Sequence, residues 1–235
     1  MIVYGYNVAE AILKNKNLCK KVRKIVIQDS LRAKFANLLP ENAKFRVVYV
    51  RKCEIDFLAK GLHQGIMIDM DYSYCSLWDF LKKNPSSVVI LDHLEDPHNF
   101  GAIIRTAKAA GFDGIIIPKD RGVGVTSTVV KTSVGTIFDI DVVQVTNLKN
   151  TIDELKKEGF WIVGTDMAGS DYRSIDYTGK IALVIGNEGK GMSKLVKDNC
   201  DFLATIPLTQ NVESLNASVA TGIMLYEYVR QKIKK

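Results

Sequence analysis

The stretch Ile181-Ala-Leu-Val-Ile-Gly186-Asn-Glu188-Gly189-Lys-Gly191-Met192 reads as an apolar strand and a glycine-rich turn, with a helical run following over Ser193–Asn199. A strand that is apolar at nearly every position belongs in a parallel sheet covered on both faces. Outward from it the same grammar recurs. Apolar strands are expected at Val88–Leu91, Gly114–Ile117, Ile137–Val145, Trp161–Thr165 and Leu203–Ile206, interleaved with helical patterns at Gly101–Ala110 and Leu148–Glu158 and a long final helix from Ser214 to Ile233. The alternation predicts a doubly wound α/β domain over 87–235 with some six strands. In such sheets ligands bind beyond the carboxyl ends of the strands, which directs attention to the residues after Leu91, Thr165, Gly186 and Ile206.

Upstream, β-rich runs at Lys24–Gln28, Phe45–Val50 and Gly65–Asp71 alternate with helical patterns at Leu31–Leu39 and Cys53–Lys60, predicting a smaller α/β unit over 1–71. Regular patterning then stops and Asn84-Pro85 signals a turn, so 72–86 reads as a linker. Charge divides the chain at the same place. Residues 1–86 carry 15 basic and 8 acidic side chains, whereas 87–235 carry 17 and 18. A segment at +7 beside a neutral one favours a module that meets a polyanion, with nucleic acid the natural candidate.

Composition sets the outer bounds. At 235 residues, 47% hydrophobic and 25% charged, the chain has the balance of a folded globular protein. No apolar run approaches the roughly 18 residues of a membrane helix. Met1-Ile-Val-Tyr-Gly-Tyr-Asn-Val has no basic region, apolar stretch and cleavage site, so a cytoplasmic protein is expected. Cys19, Cys53, Cys75 and Cys200 form no CxxC pair and no zinc-like cluster, and read as packed thiols.

Three loops carry the candidate chemistry. After the first strand of the larger domain comes Asp92-His-Leu-Glu-Asp-Pro-His-Asn99-Phe-Gly101-Ala-Ile-Ile-Arg105, with Asn99 at or near a helix N-cap and Arg105 about one turn further in. Asp92, His93, Glu95, Asp96 and His98 are metal-ligand types, but Pro97 and the irregular loop give no helical i, i+4 pairing, and no metal is expected. The Gly186–Gly191 turn offers a backbone-lined cradle for a nucleotide-like ligand. It matches neither a dinucleotide fingerprint, which follows the first strand, nor a Walker loop, which needs Ser or Thr after its lysine. The third loop is Ile206-Pro-Leu…Ser214-Leu215-Asn216-Ala-Ser218-Val-Ala, where Ser214 can cap the final helix and Asn216 and Ser218 lie in its first turn. Leu215, Val219, Ile223, Tyr226 and Val229 give that helix an apolar stripe, and Leu225 and Tyr228 extend it beyond one face, pointing to a partner subunit.

Taken together, Asn99-Phe-Gly-Ala-Ile-Ile-Arg105, Gly186-Asn-Glu188-Gly-Lys-Gly-Met and Ile206-Pro-Leu…Ser214-Leu-Asn216-Ala-Ser218 resemble the three ordered motifs of the SpoU (TrmH) family of RNA ribose 2′-O-methyltransferases. Tyr4-Gly5-Tyr-Asn-Val-Ala-Glu-Ala and His63-Gln64-Gly65-Ile66 resemble the substrate-binding domain of members that modify large-subunit ribosomal RNA, so the likeness spans nearly the whole chain and is closest to the RlmB type. The resemblance implies a small N-terminal α/β RNA-binding domain and a C-terminal SPOUT-type α/β domain. In the latter, a deep trefoil knot forms where the chain after Ile206 threads back to build an S-adenosyl-L-methionine pocket. It further implies a homodimer with the active site at the subunit interface, and a reaction that methylates a guanosine of 23S-type ribosomal RNA, with neither DNA nor membrane as partner.

Position by position, the resemblance assigns Thr165, Gly186, Ile206 and Leu215 to the cofactor, and Asn99, Arg105, Glu188, Asn216 and Ser218 to the catalytic or RNA-facing set. The family's arginine is often cast as a base. A guanidinium is an obligate donor, so Arg105 fits better as a phosphate anchor and stabiliser of developing alkoxide, with Glu188 orienting it and Asn99 or Ser218 holding the hydroxyl. Lys131-Thr-Ser-Val-Gly-Thr-Ile departs from many relatives and leaves the exact target nucleotide open. Two alternatives remain, a transfer-RNA ribose methyltransferase on the same fold and a non-catalytic ribosomal-RNA-binding relative. A Rossmann oxidoreductase is disfavoured by the missing early glycine fingerprint.

Overall fold

A computed structural model describes residues 1–59, 63–209 and 214–233. The chain forms two compact units, one of residues 1–73 with 125–138, the other of 74–124 with 139–235.

In the first unit, β1 (Ile2–Tyr4), β2 (Val22–Gln28), β3 (Arg46–Val50) and β4 (Ile66–Met70) form a sheet in the order β1-β4-β2-β3, with only β2 and β3 parallel. The helices α1 (Tyr6–Lys14), α2 (Lys16–Cys19), α3 (Arg32–Ala36) and α4 (Lys52–Leu58) connect these strands. Alternation in β2 buries Ile25 and Ile27, and α4 adds Ile55 to a cluster with Val26 and Met67. The two N-terminal stretches that carry the family likeness meet here: Tyr6 donates its backbone N–H to Gln64 Oε1 at 2.7 Å, and Gly5 N–H reaches Ile66 O at 3.4 Å.

The segment 72–86, read from the sequence as a linker, has a short helix of its own. It carries α5 (Leu77–Leu81), capped by Ser76, whose hydroxyl accepts from Asp79 N at 3.1 Å. Phe80 is fully buried in the core of the second unit with Val88, Ile90 and Ile116. Gly114 makes room for it, since a Cβ there would lie 2.5 Å from Phe80 Cε2.

That second unit is built on an all-parallel six-stranded sheet: β5 (Ser87–Leu91), β6 (Gly114–Pro118), β7 (Asp141–Val145), β8 (Phe160–Asp171), β9 (Lys180–Ile185) and β10 (Phe202–Thr205). All five residues of β5 and of β6 are buried, as continuous apolar runs require. The order β10-β8-β9-β5-β6-β7 departs from a plain doubly wound sheet, because β9 sits inside β8 and β10 returns to the outside of β8. The helices are α6 (Pro97–Ala109), α8 (Leu148–Lys157), α9 (Lys194–Lys197) and α10 (Ala217–Ile233).

Two local readings need correction. The expected strand Ile137–Val145 is shorter: Thr136–Phe138 is a 3-10 turn and β7 begins at Asp141. The stretch before it, including α7 (Ser127–Thr132), packs with the first unit, where Ser127 Oγ donates to Tyr4 OH at 3.3 Å. On α10 the buried residues are Ala217, Thr221, Met224, Leu225, Glu227 and Tyr228, whereas Val219 and Tyr226 of the expected inward stripe are about half exposed (52% and 53%).

Candidate active site

Sheet register creates the site. Leu91 at the end of β5 lies beside Ile185 at the end of β9, so the loops that follow leave the sheet side by side, joined by Asp92 N–H to Ile185 O at 2.8 Å. One loop enters α6. Its N-cap is Asp96, which accepts from His98 N at 2.9 Å, with Pro97 opening the helix. Asn99 is therefore not the cap, and its side chain is free to act elsewhere.

Only 7% exposed, Asn99 spends both ends of its amide on the other two loops. Its Nδ2 donates to Glu188 Oε1 at 3.0 Å, and its Oδ1 accepts from Asn216 Nδ2 at 3.0 Å. Asn216 Oδ1 in turn accepts from Ser218 N at 2.9 Å, Ser218 Oγ at 2.7 Å and Val219 N at 3.4 Å. Asn216 is thus the side chain that satisfies the first turn of α10, a role the sequence assigned to Ser214. Four of the five predicted catalytic residues form one hydrogen-bonded chain running Ser218 to Asn216 to Asn99 to Glu188, all donors pointing the same way.

Arg105 stands apart. At about 100° per residue, six residues place it some 120° around α6 from Asn99. It is exposed and ion-pairs with no described residue.

Thr165, Ile206 and Leu215 line one cavity of about 340 Å³, between the middle of β8 and the carboxyl end of β10. Thr165 Oγ1 is anchored on Val184 O at 3.1 Å. Asp166, which the sequence did not single out, also lines it; burial opposes ionisation of this carboxylate, but Lys197, 2.7 Å away, and the Ala168 N–H hold it below the ordinary range. Gly186 does not line the cavity. A Cβ there would lie 2.3 Å from Gly191 C and 2.4 Å from Met192 N, so glycine is required where the turn folds back on itself. The turn is closed by paired Asn187 and Gly191 backbone bonds of 3.0 and 2.9 Å, and Asn187 Oδ1 accepts from Gly189 N and Lys190 N. No group of three or more His, Cys, Asp or Glu is arranged as a metal shell among the described residues.

A sequence profile of the SpoU rRNA Methylase family matches residues 86–226, which covers all three loops. The chain belongs to this family. A protein of Staphylococcus aureus that carries the name TrmH family tRNA/rRNA methyltransferase is 45% identical over 99% of this chain and 96% of its own length. Two solved structures superpose on nearly the whole chain. The SpoU methyltransferase AviRb from Streptomyces viridochromogenes, in complex with AdoMet, gives a TM-score of 0.84 at 26% identity, covering 100% of this chain and 91% of that one. An AdoMet-bound rRNA methyltransferase from Sinorhizobium meliloti gives 0.82 at 28%, covering 97% and 86%.

The SpoU assignment makes this chain an S-adenosylmethionine-dependent RNA methyltransferase. The residues present suit that cofactor. The cavity volume lies within the range of about 300–1,000 Å³ typical of small-molecule sites. Ile206, Leu208 and Leu215 supply apolar walls, and Asp166 and Lys190 supply one charge of each sign.

Proposed function

We propose that the protein methylates the ribose 2′-hydroxyl of a guanosine in large-subunit ribosomal RNA. The observation that carries this reading is the Ser218–Asn216–Asn99–Glu188 chain, formed by the same turn and helix start that wall the Thr165–Ile206–Leu215 cavity. When bound, S-adenosylmethionine supplies an electrophilic methyl group on a sulfonium. The protein must then hold a weakly acidic hydroxyl in line while its proton passes to water. Because Ser218 gives its hydrogen to Asn216, its oxygen lone pairs are left to accept a hydrogen bond from the ribose hydroxyl. Glu188 terminates the chain as an acceptor, with Oε2 unbonded to any described residue. Arg105 completes the site from a second copy of the chain, where its guanidinium stabilises the developing alkoxide.

The dimer is supported by the half-exposed apolar face of α10, carried by Val219 and Tyr226 and starting one residue from Ser218. Threading of the chain through a trefoil knot is supported by the return of β10 to the outside of β8; residues 210–213 of the connecting loop lie outside the described residues. Ribosomal RNA is favoured as substrate by the excess of basic residues in 1–86 and by the 97% coverage of the chain by the Sinorhizobium meliloti rRNA methyltransferase, which takes in the N-terminal unit. Cytoplasmic action fits four cysteines that are all free thiols.

The test is to map ribose methylation in ribosomal and transfer RNA from cells with and without the gene, then repeat the transfer with purified protein and labelled cofactor. A single ribosomal guanosine that loses its 2′-O-methyl group is expected. Loss confined to transfer RNA would replace the substrate, and no methyl transfer at all would leave an RNA-binding relative.

A further inference from the structure

A second, larger cavity of about 800 Å³ opens at the carboxyl ends of β5, β6 and β7, and the three motifs supply only its Asn187–Met192 wall. It shares Lys190 and Gly191 with the cofactor cavity, so the Asn187–Gly191 turn forms a wall of both. On its rim, His93 is held by a fully buried carboxylate: Asp92 Oδ1 lies 2.5 Å from His93 Nδ1, while Asp92 Oδ2 accepts from Ser193 N at 2.6 Å. Asn187 Nδ2 donates to His93 O at 2.9 Å and fixes the backbone from the other side. With Nδ1 committed to the carboxylate, Nε2 remains as the working atom, and it has no hydrogen-bond partner among the described residues.

Two more observations bear on what the cavity takes. Five described non-glycine residues have positive φ, and two of them, His93 (60°) and Arg121 (55°), line this cavity. Strain of this kind persists where surrounding contacts fix a side chain in place, and it clusters at ligand sites. Arg121 and Lys190 ion-pair with no described residue, whereas Lys149 is spent on Asp153. Asp120 and Glu95 also line the cavity, so it is not a simple basic patch. Its floor is apolar, from Leu148, Met192 and Val196. An apolar floor under a rim of one imidazole, mixed donors and acceptors and free cations suits a nucleobase with its phosphate.

Resting on the functional reading above, we infer that this cavity receives one nucleotide of the RNA substrate adjacent to the methylated one. His93 Nε2 hydrogen-bonds its base and Arg121 pairs with its phosphate. The shared Lys190–Gly191 wall places this nucleotide next to the one whose ribose faces the cofactor cavity, so the pair of cavities reads two successive positions of a strand.

The test uses the full chain with deproteinised ribosomal RNA as probe, comparing the parent with His93→Asn and Arg121→Asn, since asparagine tolerates a left-handed backbone. Lys157→Gln, far from the cavity lining on α8, serves as the charge control. Filter binding across salt, calorimetric titration of S-adenosylmethionine and methyl-transfer kinetics are read on each. Each cavity variant is expected to weaken RNA binding about tenfold with cofactor affinity unchanged. Arg121→Asn alone should lower the salt slope by about 0.7–0.9, one phosphate's worth. RNA affinity equal to the parent's in both variants, with the parent still methylating RNA, overturns the cavity assignment alone. A parent that transfers no methyl group to RNA overturns the functional reading and the cavity assignment with it. If His93→Asn loses its fold by circular dichroism, Arg121→Asn decides, because that side chain is exposed and makes no ion pair with a described residue.

Discussion

Asn216 donates its side-chain amide to Asn99 Oδ1 at 3.0 Å across 117 positions of sequence, and that bond ties the start of the last helix to the first turn of α6. Because Asn99 passes its own amide to Glu188 and Asn216 accepts from Ser218, the bond is the middle link of a directional chain. Directional chains of this kind polarise one another in a low-dielectric setting, and a break in the middle affects both ends.

Asn99→Ala should therefore act at both ends of the chain. It removes the Asn99 bonds of Asn216 Nδ2 and Glu188 Oε1 and is expected to cost about 1–3 kcal/mol of stability. Methyl transfer should fall by about 10²–10³-fold, the scale of a lost oxyanion donor, while cofactor affinity holds. Single-turnover transfer and calorimetry on the same protein measure the two. A variant that turns over like the parent would show the chain to be structural only.

Asn216→Ala separates capping from chemistry. Removing the oxygen that accepts from Ser218 N and Val219 N should cost about 0.5–2 kcal/mol in a denaturant titration. Asn216→Asp keeps the cap acceptor but replaces the amide donor facing Asn99, so stability should largely return while transfer stays low. Recovery of both together would mean that the cap alone matters.

Gly186→Ala tests the folded-back turn. The added Cβ would lie 2.3 Å from Gly191 C, which is backbone and cannot swing aside, so overpacking of about 1–3 kcal/mol is expected. The turn must shift, moving Glu188 relative to Asn99 and Gly191 relative to the cofactor cavity, and both transfer rate and cofactor affinity should drop. Unchanged calorimetry with a folded protein would contradict this.

Much of this was legible in the sequence, and the exceptions have physical causes. Continuous apolar runs such as Ser87–Leu91 and Gly114–Pro118 declare parallel strands, but nothing in a run states its neighbour, so the placement of β9 inside β8 could not be read. Helix α10 is apolar on more than one side, and its period leaves the buried face undetermined; Met224, Leu225 and Tyr228 take the core in place of Val219 and Tyr226. Helix α5 is five residues long, too short for Leu77, Phe80 and Leu81 to show a helical period. Most site residues emerged because they lie in the loop that follows a strand or in the helix that the loop enters. His93 also follows a strand exit, and the pattern that would have flagged it is position alone, without a motif; Asp166 lies within β8, which runs on to Asp171, past the Thr165 end its sequence suggests.

The thiols should respond to alkylation unequally. Burial first, and then the carboxylate of Asp201, pushes the Cys200 thiol up to about 12, so it stays protonated and unreactive through neutral and mildly alkaline pH. Cys53 is exposed. Iodoacetamide at pH 8 followed by peptide mass spectrometry is expected to label Cys53 first and Cys200 only after denaturation. Rapid labelling of Cys200 in the folded protein would mean that its surroundings open on the labelling timescale.

Arg105 carries the sharpest test, because one chain does not bring it to the Asn99 chain. Arg105→Ala should lower methyl transfer by about 10²–10³-fold, more than it lowers RNA or cofactor affinity, since its contribution grows as charge builds on the ribose oxygen. Arg105→Lys should rescue little, as a point charge does not reproduce a planar fork. If the arginine acts across a dimer, Arg105→Ala and Glu188→Ala are each inactive alone, yet mixing them after subunit exchange should restore activity, because a mixed dimer holds one site with both residues intact. Ultracentrifugation fixes the oligomeric state of each sample. Dimers that exchange subunits without recovering activity would place Arg105 and Glu188 in the same chain's site, and a monomeric parent that still methylates RNA would remove the need for a second copy altogether.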